Sequence, residues 1–270
     1  MYRIIAADMD DTLLNHEGIL TQRTEEALKN AMAAGAYVVL ASGRMYESIA
    51  VYARRIGANA PLVCFNGGML YDAVQDKPLA THSIPRETAI AIARRAEELG
   101  IYAQTYPGKG LYAEKRTDYT KAYEASVGIR CNETGMPLSQ WISSDVVKLL
   151  FICDKKDTPG IIETFSREFP DISFMMSKPH YVEVVAKNVN KGRALRDLLD
   201  ILGLAPEELV AFGDGQNDLA MLELAGRGYC MANALPSVRE KCKRIAPSNA
   251  EDGCAQIIEK MLLDGELGGA

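Results

Sequence analysis

Short apolar runs alternate with amphipathic stretches along the N-terminal part of the chain. Ile4-Ile5-Ala6-Ala7 is a run of β-branched and small residues that stops abruptly at Asp8, which predicts a buried strand. Thr21 to Ala34 carries Ala27, Leu28, Ala31 and Met32 at helical spacing, with Gly35 placed to end the helix. Tyr37-Val38-Val39-Leu40-Ala41 predicts a second buried strand that stops at Ser42-Gly43-Arg44, and another helical pattern then runs to Ile56. Ala60 to Phe65 predicts a third strand, closed by Asn66-Gly67-Gly68. Strand, helix, strand, helix is the pattern of an α/β parallel sheet with crossover helices.

From Met69 the texture changes. Leu70-Tyr71 and Leu79 to Thr81 predict a hairpin, Pro85 to Leu99 an amphipathic helix, and Tyr102 to Tyr106 and Leu111 to Ala113 aromatic-rich strands with Gly108 and Gly110 between them. Val146 to Ile152 reads as a strand, Pro159 to Phe169 as a helix, and Ile172 to Met176 and Tyr181 to Val185 as further strands. This middle region is α+β and mainly antiparallel, and it reads as a module inserted into the first. The original rhythm returns with a helix from Lys191 to about Leu202 and the buried strand Leu209-Val210-Ala211-Phe212, which ends at Gly213-Asp214-Gly215-Gln216-Asn217-Asp218. A helix with Leu219, Met221, Leu222 and Leu224 follows, and two short strand and helix units finish the chain. The expected division is residues 1–82 and 187–270 for the parallel-sheet core, with 83–186 inserted.

Composition narrows the function classes. A net charge of -6 with no block of consecutive basic residues gives no nucleic-acid footprint. The cysteines Cys64, Cys131, Cys153, Cys230, Cys242 and Cys254 are scattered, which suits neither a zinc knuckle nor a disulfide framework and suits a reducing compartment. No apolar run reaches membrane-spanning length, and the N-terminus meets Asp8 too early for a signal peptide. A soluble, cytoplasmic protein with no membrane partner is expected. Nothing in the pattern signals an oligomeric state.

The predicted strand ends bring Asp8, Asp10, Asp11, Ser42, Asn66, Asp214, Asn217 and Asp218 to one edge of the sheet, where open α/β sheets place their ligands. Crowded carboxylates favour a bound divalent cation or a raised pKa, and an all-oxygen set suits Mg²⁺. Asp8 and Asp10 are two apart, so in extended chain they project to the same side. One could then attack as a nucleophile while the other carries a proton. Lys191 and Arg193 stand in the first turn of a helix opened by Asn190, where the dipole disfavours cations. A phosphate at that N-terminus removes the objection; a solvated Lys191 is the alternative. Asp214 and Asp218 also read as helix-capping acids, and Ser42 and Asn66 as ordinary turn residues.

Taken together, these residues resemble the haloacid dehalogenase-like hydrolases, and among them the Cof-type phosphatases with a large α+β cap. The matching motifs are Asp8-Met9-Asp10-Asp11-Thr12-Leu13-Leu14, Ala41-Ser42-Gly43-Arg44, Lys191-Gly192 and Gly213-Asp214-Gly215-Gln216-Asn217-Asp218; Met231-Ala232-Asn233-Ala234 and Glu251-Asp252-Gly253 also match. Asp11 departs from the family, which usually has glycine there. The resemblance implies a Rossmann-like core with an inserted cap. It implies Asp8 as nucleophile and Asp10 as acid and base, with Mg²⁺ held at Asp8, Asp214 and the Asp10 backbone carbonyl and Asp218 orienting bound water. Ser42, Gly43, Lys191 and Asn217 would hold phosphate, and Arg44 and Asn66 would meet substrate. The implied activity is Mg²⁺-dependent hydrolysis of phosphate monoesters of small metabolites, sugar phosphates or phosphorylated cofactors. A phosphotransferase or mutase is the alternative, and a receiver-type phosphoacceptor a more distant one. Tyr106, Lys109, Lys115, Arg116, Tyr119 and Lys121 read chiefly as a solvated face. His16, His82, His180 and Glu183 carry no assigned role.

Overall fold

A computed structural model describes residues 1–269. The chain forms two compact units, Met1–Ala80 with Asn190–Ala270, and Thr81–Val189.

The first unit is built on a five-stranded parallel sheet in the order Ile245–Ala246, Arg227–Met231, Leu209–Gly213, Ile4–Ala7, Tyr37–Leu40. Ile4–Ala7 lies inside the sheet, paired in register with Leu209 to Phe212 on one side and Tyr37 to Leu40 on the other. All four of its residues are buried, as a parallel strand covered on both faces requires. The third predicted strand does not simply extend this sheet. Leu62–Cys64 touches it through one parallel bridge, Ala41 to Val63, and otherwise belongs to a three-stranded sheet with Met69–Asp72 and Lys77–Thr81. Its polar turn still arrives beside that of the second strand.

The helix Lys191–Leu202 buries Ala194, Leu195, Leu198 and Leu199, spaced to make one apolar stripe, against Ile4, Ala6, Val39, Leu209 and Ala211. At the start of this helix Gly192 permits close packing, because a Cβ there would lie 2.4 Å from the Ala220 carbonyl oxygen.

The inserted unit carries a six-stranded sheet, in the order Ile172–Lys178, Tyr181–Ala186, Lys148–Ile152, Tyr102–Tyr106, Leu111–Ala113, Cys131–Glu133. The last pair is parallel and the others antiparallel. Helices Arg86–Glu98 and Thr158–Glu168 help close an apolar core that includes Ile92, Leu149, Phe151, Phe165, Val182 and Val184.

Two expectations need correction here. The stretch read as a solvated face contains a helix, Asp118–Val127, opened by a Thr117–Thr120 capping box, and Tyr106 is buried beneath it in the sheet. Glu183, given no role, is buried and ion-paired with the equally buried Lys148, and its other oxygen accepts from Ser177 Oγ at 2.9 Å. Among the described residues no helix is long and apolar enough to cross a membrane.

Candidate active site

Asp8 follows the Ile4–Ala7 strand directly, and its N–H still bonds to the Phe212 carbonyl at 3.0 Å. Beyond it the chain is not extended, as the same-side projection of Asp8 and Asp10 assumes. Met9–Leu13 winds into a tight turn closed by Leu14 N–H on the Met9 carbonyl at 2.8 Å, with Asp11 left-handed at φ 57°. Winding separates the fates of the two acids. Asp8 is buried and faces Lys191, whereas Asp10 stays half-exposed and takes both arms of the Arg44 guanidinium.

Lys191 is the centre of the cluster. Its side chain is 0 % exposed, and Nζ donates to Asp8 Oδ1 and, at 2.6 Å, to Asp218 Oδ1. Burial opposes a charged ammonium, but the attraction of Asp218 and Asp8 wins and holds its pKa above the ordinary lysine value. The solvated alternative therefore fails: two carboxylates of the chain balance the cation that the helix dipole disfavours. Asn190 caps the same helix, its Oδ1 accepting the Arg193 N–H at 2.9 Å.

Asp218 has both oxygens engaged. While Oδ1 takes Lys191, Oδ2 accepts the backbone N–H groups of Asp214 at 3.0 Å and Gly215 at 2.9 Å, which shapes the loop that carries Asp214. Asp214 in turn accepts from Thr12 Oγ1 at 2.7 Å. Asp8, Asp214 and Asp218 each offer a carboxylate oxygen, all within 4.8 Å of one another. Crowding shows in their proton affinity. Burial, reinforced by Asp218 and Asp214 and resisted by Lys191, holds the Asp8 carboxyl well above the ordinary aspartate range. Burial also pushes Asp214 up to about 6, with Asp218 and Asp11 adding to the rise and Thr12 opposing it. Three acids around one ammonium leave an excess of negative charge, and an all-oxygen donor set of that kind suits a hard divalent cation.

The remaining predicted residues form a second layer in the same unit. Phe65, Asn66 and Gly67 are all left-handed, at φ 54°, 57° and 99°, a concentration of strain that persists only where its surroundings enforce it. A Cβ on Gly67 would lie 2.3 Å from the Asn190 carbonyl oxygen, so this loop seats on the start of the Lys191 helix. Its other bonds tie it to the second strand's turn: Asn66 N–H to the Ser42 carbonyl and Phe65 N–H to the Arg44 carbonyl, both at 3.0 Å. Asn66 Oδ1 accepts from Asn217 Nδ2 at 3.0 Å. Ser42 is buried, its Oγ accepting the Arg44 N–H at 3.1 Å and keeping a hydroxyl proton to donate. Gly43 lies against the Asn66 side chain.

The structure thus brings Asp8, Lys191, Asp214 and Asp218 into one cluster, and Ser42, Gly43, Asn66 and Asn217 into a neighbouring one. The Asp10 carboxylate, paired with Arg44, is outside the acidic group. Sequence reasoning missed Thr12 as the Asp214 partner, although a hydroxyl in the turn after a candidate nucleophile is a visible signal. It also missed the Asp10–Arg44 pair, for which spacing offers none.

Comparison with known proteins places this geometry in a class. The sequence profile of the haloacid dehalogenase-like hydrolases matches residues 5–258. A Bacillus subtilis 5-amino-6-(5-phospho-D-ribitylamino)uracil phosphatase is 28% identical, the alignment covering 95% of this chain and 96% of that one. Among solved structures, a Thermotoga maritima protein is 31% identical with a TM-score of 0.87, over 96% of this chain and 97% of its own. A haloacid dehalogenase-like hydrolase from Bacteroides thetaiotaomicron is 28% identical with a TM-score of 0.89, over 97% and 100%. The chain is a hydrolase that belongs to the haloacid dehalogenase-like family. Within that family it falls with the Cof-type phosphatases.

Proposed function

We propose that this chain hydrolyses phosphate monoesters of small metabolites, with Mg²⁺ as cofactor, through a phosphoryl group carried transiently on Asp8. The observation that carries the proposal is the buried Lys191 bridging Asp8 and Asp218 beside Asp214. A nucleophilic carboxylate needs an anion-compensating environment before a phosphate can approach it, and this cluster combines a fixed ammonium with a carboxylate set fit for a hard cation.

Asp8 and Asp214, with the Asp10 backbone carbonyl, are the groups we assign to the cation. Asp218, with both oxygens engaged, holds the Asp214 loop and Lys191 in place. A cation bound there would supply charge neutralisation for phosphoryl transfer. Asp8 attacks phosphorus, Asp10 protonates the departing alcohol and then takes a proton from the water that hydrolyses the aspartyl-phosphate. Lys191, Ser42 and Asn217 hold the phosphoryl oxygens, and Asn66 and the Gly43 backbone shape the space beside them.

The substrate class rests on the Bacillus subtilis relative, whose name gives it a phosphorylated small metabolite as substrate. We assign the role of cap, selecting the leaving group, to the inserted unit. A cytoplasmic location agrees with six free cysteines.

The test is a panel of phosphate esters incubated with the purified protein and MgCl₂, with release of inorganic phosphate as the readout. Asp8→Asn should abolish turnover with little change in melting temperature, because an amide keeps an acceptor for Lys191 but cannot attack phosphorus. Full activity in that variant, or isomerised ester in place of free phosphate, would overturn the proposal.

A further inference from the structure

We infer that Arg44 is a positioning residue for Asp10, acting mainly in the second half of the reaction, when the aspartyl-phosphate is hydrolysed. The inference deepens the phosphatase reading and rests on it.

The Asp10 side chain is 53% exposed and sits in a wound turn, conditions under which a carboxylate ordinarily samples several rotamers. Here it does not stand free. Arg44 Nε donates to Asp10 Oδ2 at 2.9 Å and Nη2 donates to Oδ1, the fork geometry that fixes the plane of a carboxylate as well as its position. The guanidinium is itself supported, lying 5.9 Å from the ring centroid of Tyr52. Its backbone is locked by Arg44 N–H on Ser42 Oγ and by the Phe65 N–H on the Arg44 carbonyl. Among the described residues no other side chain bonds to the Asp10 carboxylate. An arginine steadied by a ring and two backbone bonds and forked onto an exposed acid aims that acid.

The two half-reactions make different demands on Asp10. In the first, an Asp8 oxygen bonds to phosphorus as the ester P–O bond breaks, and its electron pair leaves on the alcohol oxygen, which takes the proton of the Asp10 carboxyl. In the second, a water oxygen bonds to phosphorus, the P–O bond to Asp8 breaks with its electron pair returning to that carboxylate, and Asp10 takes the water's proton. In the first half one Asp10 oxygen carries the proton that goes to the alcohol, so the fork, which uses Oδ1 and Oδ2 together as acceptors, cannot be complete. In the second half Asp10 enters as a carboxylate, the form a guanidinium fork holds, so the hydrolytic half is where the aim set by Arg44 counts.

A leaving group that needs no proton isolates that half. With 4-nitrophenyl phosphate and MgCl₂, rapid mixing reads aspartyl-phosphate formation as a burst of nitrophenolate and its hydrolysis as the steady-state rate. In Arg44→Gln the burst rate should change less than about threefold while the steady-state rate falls about tenfold or more, within the range of general acid–base contributions. Acid-quenched phosphoenzyme should accumulate correspondingly. Arg44→Lys, which restores the charge but not the fork, should fall between. Parallel loss of burst and steady state, a raised KM with unchanged kcat, or no change in either phase would overturn the inference. Wild-type protein that releases no phosphate from any ester would instead overturn the phosphatase reading and the inference together, and is read on the unmodified chain.

Discussion

Lys191→Met removes one buried charge with little change in side-chain length, and its consequence follows from the cluster. In the native arrangement the ammonium donates to Asp8 and, at 2.6 Å, to Asp218, while the oxygens of Asp8, Asp214 and Asp218 lie within 4.8 Å of one another. At an effective dielectric of about 20, like charges at that separation repel by about 3.5 kcal/mol per pair. Breaking a buried ion pair by removing one partner typically costs about 3–5 kcal/mol, because the survivors take up protons before the full repulsion develops. For a unit of this size that corresponds to a fall in Tm of order 10 °C. The pH dependence has a definite sign. An acid whose folded pKa lies above its unfolded value destabilises the fold increasingly as pH rises through the raised value. Asp8 is already raised, and the variant loses Lys191, the main influence that lowers it. The deficit should therefore be smaller at pH 5.5 than at pH 8, and added MgCl₂ should recover part of it. Thermal melts followed by far-UV circular dichroism at both pH values test this, with Arg193→Ala, an exposed neighbour on the same helix, as a control that moves little. A Lys191→Met protein melting within about 2 °C of wild type at both pH values would refute the charge-balance account.

Asp214, with its carboxyl pushed up to about 6, binds a proton in competition with a cation. Mg²⁺ affinity measured by calorimetry should hold steady above about pH 7 and weaken as pH falls through 6; a flat profile to pH 5 would exclude Asp214 as a ligand. Thr12→Val removes the hydrogen bond that lowers Asp214, so the same profile should move to higher pH. In the inserted unit, Lys148→Met leaves Glu183 buried without its cation and should destabilise by about 3–5 kcal/mol, most of which Lys148→Met with Glu183→Leu should recover in melting experiments. Asp11→Gly should change stability by no more than about 1 kcal/mol, since relief of the left-handed conformation is offset by unfolded-chain entropy. Losing the Asp11 charge, which raises Asp214, should shift Mg²⁺ binding to lower pH.

What the sequence disclosed divides along the range of the interactions involved. Strands buried on both faces are continuous apolar runs, so Ile4–Ala7, Tyr37–Leu40 and Leu209–Gly213 announce themselves, and the residue that ends each run marks the edge where the site is assembled. The helix Asp118–Val127 went unseen because it buries little beyond Thr120 and Tyr123 and has no apolar stripe to betray it. Side-chain pairing is the other gap. Asp10 and Arg44 lie on loops whose conformations depend on left-handed residues and on each other, and no periodicity encodes which acid an arginine will meet. Lys191 stands between these cases. A cation in the first turn of a helix signals that something balances it, but the signal is the same whether the balance comes from a ligand or from the chain. The structure supplies Asp8 and Asp218. On the proposed chemistry the two answers are successive states of one device: the ammonium that neutralises Asp8 at rest is already beside the phosphoryl oxygens once Asp8 carries them.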